Sequence, residues 1–260
     1  MKRDFFVGLR RRREVAGLVC GLVAAMALAA APSNARASSA SFVLDDGTLS
    51  AQATFTIVSN LLILELENTG TTDVTHPSQL LTTLWFRLSG NPLLNKNSAT
   101  LGPGATILNI PPANLPGQFV IGGEWGYKHN FLLDGVMWQG VSAIFGQQFY
   151  PHHRFPGPNL AYTNDIGGID YALTSRGDVA GTGTEKTATD PLIKGPAVFV
   201  LAGLPQGFTI EDILEVKFQF GNSWAVCPNQ GVAGVAVVIP EPGTAALLLA
   251  SAGMLLRRRR

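Results

Sequence analysis

Leu49-Ser-Ala-Gln-Ala-Thr-Phe-Thr-Ile-Val-Ser-Asn-Leu-Leu-Ile-Leu-Glu-Leu-Glu67 reads as two strands joined by a tight turn. Ala51, Ala53, Phe55 and Ile57 alternate with Ser50, Gln52, Thr54 and Thr56. After Ser59-Asn60 the pattern resumes, with Leu62, Leu64 and Leu66 alternating against Ile63, Glu65 and Glu67. Successive side chains of a strand point to opposite faces, so period-two patterning on both sides of a two-residue turn predicts a hairpin with one buried face. Asn68-Thr69-Gly70 is turn-forming and closes the second strand.

The same period recurs outward from this hairpin. Leu84, Phe86 and Leu88 alternate with Thr83, Trp85 and Arg87, and Leu214, Val216, Phe218 and Phe220 alternate with Glu215, Lys217 and Gln219. Each pattern predicts a strand with one wet face. Ala197–Leu201 suits a buried strand, and Val232–Val238 reads as a last strand or a small-residue linker. Thr209 is placed to cap one turn of helix over Thr209–Ile213. Between Gly90 and Pro196, glycine and proline recur every few residues, which predicts short strands joined by long loops. No internal repeat points to a solenoid or propeller. The expected fold is all-β, a single antiparallel β-sandwich or jelly-roll-like domain with a loop-rich middle.

Both chain ends read as addresses. Met1–Arg13 is basic, Val15–Ala31 is apolar, and Ala35-Arg36-Ala37 offers small residues at the two positions read by a signal peptidase. Residues 1–37 are therefore expected to be a secretory signal peptide cut after Ala37, the alternative being an anchor that is never removed. Arg12-Arg13 raises the twin-arginine route, though the flanking residues suit it poorly. Cys20 follows Val19, too large a residue for a lipoprotein signal. At the other end, Val-Ile-Pro-Glu-Pro-Gly-Thr from Val238 leads into an apolar stretch, Ala245–Leu256, and then Arg257, Arg258, Arg259 and Arg260. Arginines resist crossing a bilayer and the apolar stretch prefers to sit in one. This order predicts a short transmembrane helix over 243–256 that leaves the body outside and the arginines in the cytoplasm.

Removing the ends changes the electrostatics. Eleven of the nineteen basic residues lie in the two signals. The body keeps eight basic residues against fifteen acidic ones, a net charge of about −7. That disfavours nucleic acid as a partner and suits an exported protein or one that binds cations. Its roughly 200 residues suffice for one domain with a real core. Cys227 is the body's sole cysteine, so no internal disulfide is available and packing must hold the fold. Followed by Pro228 and without an evident partner, it reads as an ordinary thiol rather than a nucleophile.

Residues 238–260, with Pro240, Glu241 and Pro242 at their head, resemble the PEP-CTERM sorting signal of bacterial exported proteins. The resemblance implies recognition by the membrane enzyme exosortase and cleavage near that motif. Body segments also resemble a family of exosortase-dependent surface proteins. They include Leu66–Thr69, Leu80–Phe86, Leu101–Gly104, Gly122–Trp125, Arg154–Leu160, Asn164–Ile169 and Leu204–Phe208. The tail is also similar to a segment described as an ice-binding protein C-terminal domain. The body has no regular threonine array of the kind ice binding uses, so that likeness is taken to describe the sorting segment.

Candidate chemistry is sparse. His152-His153, with His76 and His129, could supply metal ligands only if separate loops converged, because adjacent residues of an extended chain face opposite ways. Asp165 and Asp170 flank Gly167-Gly168 and, with Asn164 and Asp178, could offer oxygens to calcium, or could simply cap a turn. Trp125, Tyr127 and Trp138, with Phe149 and Tyr150, could stack on sugar rings if exposed, or fill a secondary core. Glu124 and Asp134 could form a glycosidase pair only if the fold set their spacing. No phosphate loop, dinucleotide fingerprint or Gly-x-Ser-x-Gly elbow is present. The expectation is a non-enzymatic bacterial cell-surface or extracellular-matrix protein, without a cofactor unless calcium binds, linked to exopolysaccharide or biofilm. Its processing partners would be signal peptidase and exosortase, reached through an inner-membrane intermediate. The alternative is a secreted carbohydrate-binding module or weak glycan-active enzyme that uses the aromatic-rich middle.

Overall fold

The computed structural model describes residues 38–110, 120–133, 135–144, 151–160, 169–221, 232–233 and 235–238. Two sheets account for half of them. The first has the order β14-β1-β2-β3-β11-β5. Its strands are β1 (Ser38–Asp45), β2 (Ser50–Val58), β3 (Leu61–Asn68), β5 (Asn95–Leu101), β11 (Ala197–Ala202) and β14 (Val235–Val238). The second has the order β13-β12-β4-β9-β10-β6, and β8 pairs with both β4 and β7. Its strands are β4 (Leu81–Leu88), β6 (Thr106–Leu108), β7 (Gly126–Leu133), β8 (Val136–Ser142), β9 (Leu173–Thr174), β10 (Leu192–Lys194), β12 (Ile213–Phe220) and β13 (Val232–Ala233). One short helix, α1 (Glu185–Thr189), follows β9.

The β2–β3 hairpin forms as its alternation predicts. Val58 pairs with Leu61 across a two-residue turn, and Ser59 takes φ 58°, the left-handed conformation such turns require. Ala51, Ala53, Phe55, Leu62, Leu64 and Leu66 are fully buried. They face the second sheet, where the Phe55 ring meets Phe86 of β4 edge-on at 5.6 Å and Phe42 of β1 at the same distance. Edge-to-face rings at this separation add to the area they bury.

Four features depart from the expected pattern. β4 is covered on both faces, because the β7–β8 hairpin folds over Trp85 on the side read as wet. In β12 a register shift falls between Ile213 and Glu215 opposite Leu88 and Arg87, so Ile213 is buried and Leu214 is exposed. A bulge adds one residue to a strand and reverses the facing of what precedes it. The second sheet is mixed rather than purely antiparallel, since β9 and β10 pair parallel through Leu173 and Ile193. Finally, Val232–Val238 is not one strand: β13 joins the second sheet and β14 the first, so the chain changes sheets between Ala233 and Val235. The turn capped by Thr209 does form, as a single 3₁₀ turn over Ile210–Asp212, with the Thr209 N–H donating to the Asp212 carboxylate at 2.8 Å.

Strand register defines two ends of the sandwich. At one end lie Ser38, the Val58–Leu61 turn, Ala202 and Asn95, joined by successive pairings. At the other lie Asp45, Ser50, Asn68, Ala197 and Leu101. The second sheet is oriented by Asn68, whose amide donates to the Gln79 carbonyl just before β4 at 3.0 Å. β4 therefore starts at the Asp45 end and finishes, with the start of β12, at the Ser38 end. Among the described residues no helix is long and apolar enough to cross a membrane, and of the two expected signals, 1–37 and 238–260, only Val238 lies among them.

Candidate functional site

β1 and β14 run antiparallel at the edge of the first sheet, with Ala40 opposite Val238 and Val43 opposite Val235. β14 therefore travels toward the end where β1 begins. Ser38 is the first residue of β1, and Val238, assigned to the tail on sequence, is the last of β14. Only Ile239 stands between β14 and Pro240 in the sequence. Ala35, Ala37, Pro240, Glu241, Pro242 and Arg257–Arg260 themselves lie outside the described residues.

The aromatic residues offered for sugar stacking are interior. Trp125 is fully buried, its indole N–H donates to the Tyr171 carbonyl at 3.0 Å, and its ring lies 4.9 Å from that of Phe199. The Tyr127 hydroxyl donates to the Gln139 side-chain oxygen at 2.7 Å, and burial raises its pKa well above the ordinary phenol value. Trp138 packs with Trp85 under the β7–β8 hairpin, with the Lys217 ammonium 4.6 Å from its ring centre. Sugar stacking needs an open ring face, and these three rings present none. The expected glycan contacts at Trp125, Tyr127 and Trp138 are therefore corrected to core and satellite-core roles. Phe149 and Tyr150 lie outside the described residues.

Two segments that carried the family resemblance pack on each other. Phe155 N–H donates to the Trp125 carbonyl at 3.0 Å, Gly126 bridges Arg154, and Leu160 N–H donates to the Glu124 carboxylate. A Cβ on Gly122 or Gly123 would run into the carbonyls of Pro156 and Pro158, so these glycines permit the close approach. Glu124 is thus a buried structural acceptor, and Asp134, its proposed partner, lies outside the described residues.

Among the described residues no group of three His, Cys, Asp or Glu side chains is placed to hold an ion. Asp165, half of the expected calcium pair, and Cys227 lie outside them. Burial and the neighbouring Asp190 and Glu124 carboxylates push Asp170 up to about 6. Asp178 accepts from the Val74 and Val179 N–H groups, at 3.1 and 3.0 Å, and from the Thr174 hydroxyl. His153 is held down to about 4 by burial and by nearby His152, Lys128 and Lys96. His129 bonds the Asn91 carbonyl at 3.0 Å, and His76 bonds the Ser78 hydroxyl at 2.8 Å.

The sequence reading missed the β7–β8 hairpin, although Asp134-Gly135 between Phe131-Leu132-Leu133 and Val136-Met137-Trp138 is a hairpin signal. It also missed that the folded body leaves apolar side chains exposed near Ser38. No known protein family matches the chain, and no curated protein or solved structure matches it either.

Proposed function

We propose that this chain is an exported surface or extracellular-matrix protein without enzymatic activity, delivered to the membrane by an N-terminal signal peptide and held there by a C-terminal sorting segment. One observation carries the reading: the described strands all fall in the interval between the two expected cuts. β1 begins at Ser38, one residue after Ala37, and β14 ends at Val238, two residues before Pro240. The segments outside carry the basic and apolar patterns of export and stop signals. The resemblance to exosortase substrates adds the expected processing enzyme, with 243–256 as the membrane-spanning part and Arg257–Arg260 as the cytoplasmic stop. Among the described residues no cluster of titratable groups suggests catalysis. Trp125, Tyr127 and Trp138, which would have served a glycan-binding module, are interior, which favours the surface-protein reading over a carbohydrate-active one.

Deletion of residues 240–260 tests this. The truncated protein is expected to keep the folding cooperativity and melting temperature of the body while losing membrane retention and surface delivery. A truncated protein with the same location and the same processed mass as the full chain would contradict the reading.

A further inference from the structure

We infer that the Ser38 end of the sandwich is a docking surface for the lipid bilayer, on which the body rests while its tail is still in the membrane. This rests on the proposed membrane tether and adds which face of the body meets the lipid.

Seven large apolar side chains of the described residues are substantially exposed, and five of them lie at this one end. They are Val58 (38%), Leu93 (66%), Leu132 (61%), Met137 (47%) and Leu214 (53%). They come from four parts of the chain far apart in sequence, and the topology gathers them. Val58 stands beside the β2–β3 turn, and Leu93 lies in the segment leading to β5, its carbonyl near Gly203. Leu132 and Met137 pair across the tip of the β7–β8 hairpin, on the face opposite Phe131 and Trp138. Asn130, at the bulge of β7, accepts from the Asn91 amide at 2.6 Å, which fixes the hairpin to the same end. Leu214 sits at the bulge where β12 starts. The two remaining exposed residues, Val43 and Val179, lie toward the other end.

The chain leaves the body at this end too. Four residues, 239–242, separate Val238 from the expected membrane helix at 243. Fully extended, they reach about 13–18 Å. Read as a membrane helix, 243–256 would be about 21 Å long, shorter than the roughly 30 Å of hydrocarbon it must cross. A short span draws its outer end into the interface, and so draws the Ser38 end toward the headgroups. Charge at this end is mixed, with Lys96 opening β5 and Glu211 and Asp212 just before β12, whereas Asp45, Asp46, Glu67, Asp73 and Asp178 outnumber Arg176 and Lys194 at the other. Anionic headgroups would repel that second end the more strongly.

Nitroxide-lipid quenching of the full chain tests the orientation. With Cys20 and Cys227 replaced by serine, single cysteines at Leu93, Leu132, Val43 and Val179 are labelled with an environment-sensitive fluorophore. The protein is reconstituted into phosphatidylethanolamine–phosphatidylglycerol vesicles with or without a doxyl-labelled phospholipid. Labels at 93 and 132 are expected to be quenched roughly twofold or more by the doxyl lipid, the depth range of an interfacially seated apolar group, while labels at 43 and 179 are unchanged. Flotation with the vesicles but equal quenching at all four sites would overturn the orientation and leave the tether standing. Blue-shifted labels at 93 and 132 that ignore the doxyl lipid would mean that another protein surface covers this end, which also overturns it. Failure to float would overturn the tether reading and this inference with it. Unchanged melting of each labelled variant confirms that the body is folded throughout.

Discussion

The two ends of this sandwich are finished in opposite ways. At the Asp45 end, loops are tied down by polar contacts: Asp178 to Val74 and Val179, Asp73 to the Thr182 hydroxyl at 2.7 Å, and Arg176 to Glu67 through two bonds of 2.6 and 2.7 Å. Asn109 adds bonds to the carbonyls of Thr187 and Asp190, at 2.8 and 2.9 Å. That end satisfies its loop backbone internally and turns charge to water. The Ser38 end instead leaves leucine, valine and methionine uncovered and sends out both chain termini. Exposed apolar side chains gathered at one end mark a surface that meets something other than water. The difference teaches that this body is polarised along its strands, and that its polarity coincides with the direction in which its termini leave.

Five substitutions probe that contrast, taken from the largest expected effect down. Gly177→Ala strikes the polar end hardest, because its new Cβ would meet the Thr71 carbonyl. With backbone on both sides of the clash, a loss of about 3 kcal/mol is expected, read as a large drop in denaturation midpoint. Asp178→Ala leaves the Val74 N–H and the Thr174 hydroxyl without their acceptor. It is expected to cost about 2 kcal/mol, offset in part by removing a carboxyl whose burial raises its pKa.

Asp170→Asn acts through pH. The folded-state pKa of Asp170 is raised to about 6 from an ordinary 3.8, so between these values the folded protein keeps a proton that the unfolded chain has lost. Its contribution is present at low pH and is lost as pH climbs through 6. The asparagine variant should therefore be the more stable one at pH 7, by about 1 kcal/mol once the half-exposed position is allowed for. His153 runs the other way: its pKa falls from 6.5 to about 4, so its contribution is lost as pH drops through that interval. Melting curves of the Asp170→Asn protein between pH 4 and 7 should lose the Asp170 contribution and keep that of His153. The smallest stability effect belongs to the apolar end. Leu93→Ser and Leu132→Ser should change stability by less than about 0.5 kcal/mol, yet weaken vesicle association clearly. A large loss of stability from either would move these residues into the core and erase the contrast.

Much of the first sheet was legible in the sequence because one of its faces is water-exposed. The alternation in Ala51–Ile57 and Leu62–Leu66 reports burial directly, and every inward residue there is interior. β4 misled because its second face is covered by a hairpin distant in sequence, so Trp85, in a position that reads as wet, is buried. β12 misled at Leu214 because a bulge shifts facing without a sequence mark. Trp125 and Trp138 show the same ambiguity at the candidate site, since a large aromatic in a loop-rich stretch reads alike whether it awaits a ligand or fills a core. Gly122 and Gly123 made sense only once the Arg154–Asn159 backbone was found lying on them. The apolar end could not be read locally at all, because its five residues are assembled by strand register.

The most direct test of the central claim, that a folded body is carried out between two removable addresses, is the intact mass of the protein recovered from its native envelope. The account predicts a polypeptide that starts at Ser38, retains Val238 and lacks the terminal arginines. A full-length, unprocessed chain dissolved in the cytoplasm would contradict it.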